Sequence, residues 1–342
     1  MRPTISVCIP AYNGAQYLAD CLDSVLSQTL PDFEVVIVDD GSSDDTLDIA
    51  HSYRLRDPRI RVFKNEGNLG LAGNWNRCVH LSRGQWIKFV FQDDLVLPEC
   101  LSRMLSVATE HGSPLISCRR DFIFEPPMSE KDRQYYLDNQ AQIRALYRES
   151  PRMSGQEFSK AALQWIGRNV VGEPTAVLLD RAVFARFGWF NPHVVVSCDL
   201  EYWVRVASNT GTVHIPDTLA IFRVHAASTT AHYKQTPARR YYMETLGPLL
   251  ILHDYAFHPS YAALRTVAAT CRPRVDLVGL FWSEALGALW VAKRAAQDSG
   301  NADISLLNEW QRIAQEYPKL AVIPIRARLL SKWRAVKRMV LP

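Results

Sequence analysis

Two carboxylate pairs, Asp39-Asp40 and Asp93-Asp94, each close a short apolar run, residues 34–39 and 86–91. A third run, residues 5–10, leads into Pro10-Ala11-Tyr12-Asn13. Carboxylates gathered in one crevice repel one another and stay ionised most easily when a metal or hydrogen-bond donors compensate them. That chemistry suits a bound metal ion. Each pair also has a plainer reading: Asp39-Asp40-Gly41 as a turn, and Asp93-Asp94 as a cap for a helix beyond Pro98. Their joint occurrence at strand ends is what favours a site.

The elements that must position these residues alternate. Residues 5–10 and 34–39 are rich in β-branched residues, and between them Tyr17, Leu18, Cys21, Leu22, Val25 and Leu26 recur at helical spacing with Asn13 as cap. Strand, helix and strand of this length predict parallel neighbours joined by a right-handed crossover. The pattern continues with a helix to about residue 55, a strand at 60–64, a helix at 71–81 and a strand at 86–91. It is then followed by a helix at 98–110 and a strand at 115–124. Residues 126–151 are polar and rich in Tyr and Arg, and read as a helical insertion or a mobile lid. A capped helix at 154–166, a strand at 175–179, a helix at 199–207 and a last strand at 219–224 complete the pattern. Beyond about residue 233 every signal is helical. The expected fold class is α/β, a doubly wound, mostly parallel sheet flanked by helices, with a helical C-terminal extension. Ligands of such sheets bind outside the carboxyl ends of the strands, where the acids fall.

The residues SVCIPAYNGAQYLADCLDSVLSQTLPDFEVVIVDDGSSDDT, followed by NLGLAGNWNRCVHLSRGQWIKFVFQDD, resemble family 2 glycosyltransferases of the GT-A fold. The resemblance is dense over about residues 4–100 and thinner over 172–230. It implies domains at 1–232, with a nucleotide-binding half at 1–100 and an acceptor and catalytic half at 101–232, followed by a helical region at 233–342. It implies that Pro10, Ala11, Tyr12 and Asp39 hold the base of a nucleotide-sugar, Asp39 accepting from N3–H of uracil or thymine and Tyr12 packing on or beside the ring. The family's metal motif usually reads D-x-D, and here Phe91 stands at the first acid. Asp93 is then the match to the metal-binding acid, Gln92 is placed to reach the ribose, and Asp94 is either a second ligand or a cap. Mg²⁺ or Mn²⁺ suits carboxylate and diphosphate oxygens.

The segment FNPHVVVSCDLEYWVRVASNTGTVHIPDTLAIFRVH resembles the family's second half-site. There Asp199 matches the base of an inverting transfer, although Cys198 replaces the acid that often precedes it. Glu201 and Glu173 are the next candidates for the base. His225 matches a histidine that approaches the metal or diphosphate. Arg205 and Arg223 pair with either acids or phosphate. Glu173, in the Gly172-Glu173-Pro174-Thr175 turn, either hydrogen-bonds acceptor hydroxyls or simply precedes a proline. The resemblance therefore implies a metal-dependent, hexosyltransferase-type enzyme moving a sugar from a UDP- or dTDP-activated donor to a saccharide or lipid-linked saccharide, in bacterial surface polysaccharide synthesis. The alternatives are an inactive sugar-nucleotide or saccharide-binding protein, and a nucleotidyltransferase.

Length and composition agree with an enzyme of this size. The 342 residues are 48% hydrophobic and 22% charged, enough to build a substantial core. Seven cysteines without C-x-x-C or zinc spacing read as reduced thiols of a cytosolic protein. The N-terminus lacks the pattern of a signal peptide, and residues 277–292 are too interrupted to span a bilayer and read as a buried helix. Of the net charge of +4, seven positive charges lie within the last 24 residues, leaving −3 on the rest. No nucleic-acid surface is expected. The tail, with Leu329, Leu330, Trp333, Val336 and Val340 in a stripe flanked by Arg and Lys, either lies on the inner face of an anionic membrane or packs on protein. The Gly67–Gly73 segment lacks the G-x-G-x-x-G register of a dinucleotide site, and no phosphate-loop lysine motif or G-x-S-x-G elbow occurs.

Overall fold

The computed structural model describes residues 2–298, 304–322 and 324. Two compact units are present, residues 1–228 and 229–342.

In the first unit, β1 (Ile5–Ala11) and β2 (Phe33–Asp39) are buried along their whole length, as expected of strands covered on both faces. Each fully buried Val or Ile contributes about 1.5–3 kcal/mol relative to exposure. Between them α1 (Leu18–Leu26) buries Leu18, Cys21, Leu22 and Val25, the predicted stripe. Asn13 does not cap it. The cap position is Tyr17, while Asn13 has φ +46° and its side chain serves another loop. The unit continues with α2 (Thr46–Arg56), β3 (Ile60–Lys64), α3 (Gly70–Leu81), β4 (Trp86–Phe89) and the short β5 (Leu95–Val96). Next come α4 (Cys100–His111), β6 (Leu115–Phe124), α5 (Glu130–Leu146), β7 (Arg152–Met153) and α6 (Gly155–Gln164). The unit ends with β8 (Val177–Asp180), α7 (Ala182–Phe187), α8 (Cys198–Thr210) and β9 (Thr212–Val224).

The sheet order is β3-β2-β1-β4-β8-β6-β9-β5, with β7 on β9. The first four strands are mutually parallel, β8 runs antiparallel between β4 and β6, and β6 and β9 are parallel. This is the expected α/β fold, and three elements depart from the sequence reading. The strand expected at 86–91 stops at Phe89, freeing Phe91 to Asp94 as a turn in which Asp94 N donates to Phe91 O (3.0 Å). The strand expected at 219–224 begins seven residues earlier, because Thr212 to Ile215 pair with β6 and β7 before Pro216. Residues 174–176 form a 3₁₀ turn before β8. The 126–151 insertion is helical, and the capping box of α6 is formed by Ser154 and Glu157.

The second unit is helical among its described residues. Phe281, on the helix Leu277–Asp298, packs against Phe257 and His253, with ring centroids 5.2 and 5.6 Å away. This helix is not buried all round. Leu277, Phe281, Ala285, Ala288 and Ala292 are buried while Val278, Trp290 and Val291 are exposed, so its apolar character is one-sided. No described helix is long and apolar enough to cross a membrane. The basic stripe at 326–342 lies outside the described residues.

Candidate active site

The parallel pairing of β1 with β2 sets Ala11 opposite Asp39, so both turns open at one sheet edge. The turns are laced together. Asn13 N donates to Ser42 Oγ (2.9 Å), Ser43 N to Asn13 Oδ1 (2.9 Å), and Gly14 N to Thr46 Oγ1 (2.8 Å). The Asp39 carboxylate is buried and, among the described residues, accepts long bonds from Ser42 N alone (3.2 and 3.4 Å). Asp40 has a different task. Its carboxylate accepts from Asn65 Nδ2 (2.8 Å), Leu69 N (2.8 Å) and Gly70 N (3.0 Å), fixing the start of α3. Tyr12 leaves its ring 49% exposed, while Gln92 clasps its backbone, accepting from Tyr12 N (2.9 Å) and donating to Tyr12 O (3.0 Å). A Cβ at Gly14 would meet the Gln92 amide, so a larger residue there would displace that clasp. The side chain expected to reach a ribose is thus engaged in joining the β1 and β4 turns.

Phe91 explains the missing acid. Its ring packs on Trp75 at 4.8 Å within a cluster that includes Phe89 and Phe190. Asp93 is partly exposed and its Oδ2 lies 2.8 Å from His225 Nε2, so the two residues that sequence separates by 132 positions meet. Asp94 is fully buried, accepting from Arg223 N (2.9 Å) and from the Thr175 hydroxyl. It caps no helix, since the cap position of α4 is Glu99. Burial, reinforced by the charge of Asp93, raises the Asp94 pKa well above the ordinary range. Arg223 pairs with acids: its Nη1 donates to Glu125 (2.7 Å), its Nε to Asp93 O (2.9 Å), and its guanidinium lies over the Tyr17 ring. Tyr17 in turn donates to Glu125 (2.6 Å) and stacks near His225 at 4.7 Å. Sequence reading takes Tyr17 only as part of the α1 stripe and passes over Glu125, because their meeting carries no local signal.

Asp93 and His225 supply an oxygen and a nitrogen donor, and His225 Nδ1 is buried without a partner. Among the described residues no third His, Cys, Asp or Glu completes a cluster. The donor set fits a divalent cation shared between the protein and oxygens of a diphosphate.

Asp199 opens α8 and keeps part of its surface accessible. Its Oδ2 accepts from Asn169 Nδ2 (3.0 Å), which also donates to Gly172 O (3.0 Å), while Asn169 Oδ1 accepts from Val171 N and Gly172 N. Trp203 Nε1 donates to the same Gly172 O (2.9 Å). Asn169 was missed, although an Asn shortly before a Gly is a turn signature legible in the sequence. Burial pushes the Asp199 pKa up to about 7; the Leu200 N–H opposes the rise and the charge of Glu173 adds to it. Glu173 is paired with the buried Arg120, whose Nη2 also donates to Asn139 Oδ1 (2.9 Å), and Asn139 donates to Asn169 O (2.8 Å). Glu201 is buried and locked to Arg205, which removes it as a base for any acceptor. Thr175, three residues beyond Gly172, bonds the buried Asp94, so the Gly172 turn that accepts from Asn169 is tied in the interior to the Asp93-Asp94 turn.

The Glycosyl transferase family 2 model matches residues 6–163. The chain is 32% identical over 237 residues to the uncharacterized protein MT1568 of Mycobacterium tuberculosis, covering 69% of this chain and 72% of that one. Its structure is similar to that of S. aureus TarS 1-349 in complex with UDP-GlcNAc, with a TM-score of 0.60 at 16% identity, covering 96% of this chain and 83% of that one. It is also similar to the mannosyltransferase PcManGT from Pyrobaculum calidifontis in complex with GDP-Man and Mn²⁺, with a TM-score of 0.54 at 16% identity, covering 98% and 85%. The sheet, its order of elements and these likenesses are those of the GT-A fold. Motifs, the family model and the fold agree that the chain belongs to glycosyl transferase family 2.

Proposed function

We propose that this glycosyltransferase inverts the anomeric centre of a UDP- or dTDP-activated sugar as it transfers it to a saccharide or lipid-linked saccharide. The observation that carries the reading is the meeting of Asp93 with His225, together with Asp199, a partly accessible carboxylate whose pKa is raised, on a loop tied to the Asp93-Asp94 turn through Thr175. Asp39, buried with weak bonds of its own, accepts from the N3–H of uracil or thymine, and the exposed Tyr12 ring covers the base. Asp93 and His225 would hold Mg²⁺ or Mn²⁺, which when bound offsets the charge on the departing nucleoside diphosphate. The nucleotide-sugars in the TarS and PcManGT structures, and the Mn²⁺ in the latter, support such a donor and cation.

Asp199 takes the proton from the acceptor hydroxyl as that oxygen attacks C1, and the bond from C1 to the diphosphate oxygen breaks with its electron pair leaving on the nucleotide. Asn169 orients the carboxylate and Glu173 borders the acceptor. Residues 1–228 would be the transferase domain and the helical remainder its extension, with the basic tail resting on the inner face of an anionic membrane in surface polysaccharide synthesis. Co-sedimentation of the full chain with anionic vesicles, compared with a chain ending at 325, tests that last point.

A panel of UDP-, dTDP- and GDP-sugars, screened by thermal shift with Mn²⁺ and then by nucleotide release, tests the whole reading. A ligand bound to the native state raises apparent stability by mass action. Stabilisation by a UDP- or dTDP-sugar and turnover with an added saccharide are expected. Stabilisation without turnover across acceptors would leave a binding protein instead.

A further inference from the structure

The helix α5 carries Leu137, Gln140, Ala141, Arg144 and Ala145, and Arg148 follows on the same face at helical spacing. That face is exposed at Leu137, Ala141, Arg144, Ala145 and Arg148, whereas Asn139 and Ile143 of the same helix are buried. Here it borders a cavity of about 970 Å³, with Arg119, Arg120 and His214 of β6 and β9 among its other walls. That volume is at the upper end of the ~300–1,000 Å³ of small-molecule sites. Four arginines line the cavity and no carboxylate does. Arg119 and Arg120 are paired outside the lining, with Asp121 and Glu173. Arg144 and Arg148 have no carboxylate partner among the described residues. Gln140 buries Oε1 without a hydrogen-bond partner. Two unpaired guanidinium groups call for phosphate, the apolar wall for a hydrocarbon chain, and the amide oxygen for a hydroxyl.

We propose that this cavity binds the lipid diphosphate end of the acceptor, an amphiphile in which a diphosphate joins a hydrocarbon chain to the saccharide. The inference rests on the reading of the acceptor as a lipid-linked saccharide, and deepens it. Arg120 is what relates cavity and site: it lines the former, pairs with Glu173, and donates to Asn139, which bonds the backbone of Asn169, the partner of Asp199. In this proposal Arg144 and Arg148 grip the diphosphate, and the attached sugar extends past Arg120 toward the loop that carries Asn169 and Glu173.

The test uses the full chain with farnesyl diphosphate as probe, in EDTA, so that metal-assisted binding at Asp93 does not contribute. Arg144→Ala/Arg148→Ala should weaken binding about tenfold or more, as expected for the loss of two charge-assisted bonds. Leu137→Gln should weaken farnesyl diphosphate and spare inorganic diphosphate. UDP affinity measured with Mn²⁺ should be unchanged in both variants, which also reports that they fold. Farnesyl diphosphate binding that survives Arg144→Ala/Arg148→Ala, or that is lost in Asp93→Ala, overturns the proposal. So does inorganic diphosphate or a sugar phosphate that binds as tightly as the farnesyl compound, since the apolar wall would then recognise nothing. Asp199→Asn separates the two readings: normal transfer in that variant sinks the assignment of the base while leaving the cavity result to stand or fall alone.

Discussion

Replacing Asp199 with Asn keeps the shape of the side chain and its bond from Asn169 Nδ2, and removes the proton acceptor. Transfer should fall by ~10²-fold or more, the loss expected for a general base, with UDP affinity unchanged. Stability should move the other way. The folded protein holds the Asp199 proton up to about pH 7, whereas the unfolded chain releases it near 3.8. The folded state thus binds more protons across that window, so stability falls as pH rises through it, and the full cost is present above 7. Three pKa units would correspond to about 4 kcal/mol. Solvent reaching the partly exposed carboxylate reduces this to roughly 1–3 kcal/mol. Asp199→Asn should therefore be more stable than the parent at pH 8, and indistinguishable from it at pH 4. Urea denaturation at the two pH values measures the difference. Nucleotide release with the donor and acceptor that the panel selects measures the rate. For the parent, kcat/KM should rise about tenfold per pH unit below 7 and level off above it. A variant that keeps near-normal transfer, or that is no more stable at pH 8 than the parent, refutes the reasoning.

Asp93 and Asp94 should separate cleanly. Asp93→Ala should remove Mn²⁺-dependent UDP binding in calorimetry at little cost in stability, while Asp94→Ala, which strands Arg223 N and Thr175, should lower denaturation stability by ~1–3 kcal/mol. Asp39→Ala should weaken UDP by about 1.5–3 kcal/mol, and tighter binding of GDP than UDP to the parent would contradict its role. Asp40→Ala should act on the fold, with loss of the three bonds at the start of α3 seen as a lower urea midpoint. Asn169→Ala should lower kcat more than KM and shift the kcat pH profile, because it frees the base without touching the donor turns.

The run of apolar residues in β1 and β2, the stripe of α1 and the acids at strand ends are local patterns, and residues 5–89 were legible from them because the parallel βαβ unit is built from neighbours in sequence. Asp39, Asp93, Asp199 and His225 were singled out by motif, and the motif could place them on elements but not against one another. The pairing of Asp93 with His225 arises only when β9 lies beside β5 and β6, a contact across more than a hundred residues. Asp39 and Asp40 are equal in sequence and differ only because α3 delivers Leu69 N and Gly70 N to the second of them. Asp93 and Asp94 part for the same reason, as Thr175 and Arg223 arrive at one carboxylate and leave the other to the surface. Gln92 and Asn13 were assigned by analogy and by spacing, and their amides are taken by backbone groups from separate turns. The sequence sets residue type and local period. Burial, and with it the pKa of Asp199, is set by which distant groups the packed chain brings near, and that is decided only by the tertiary structure.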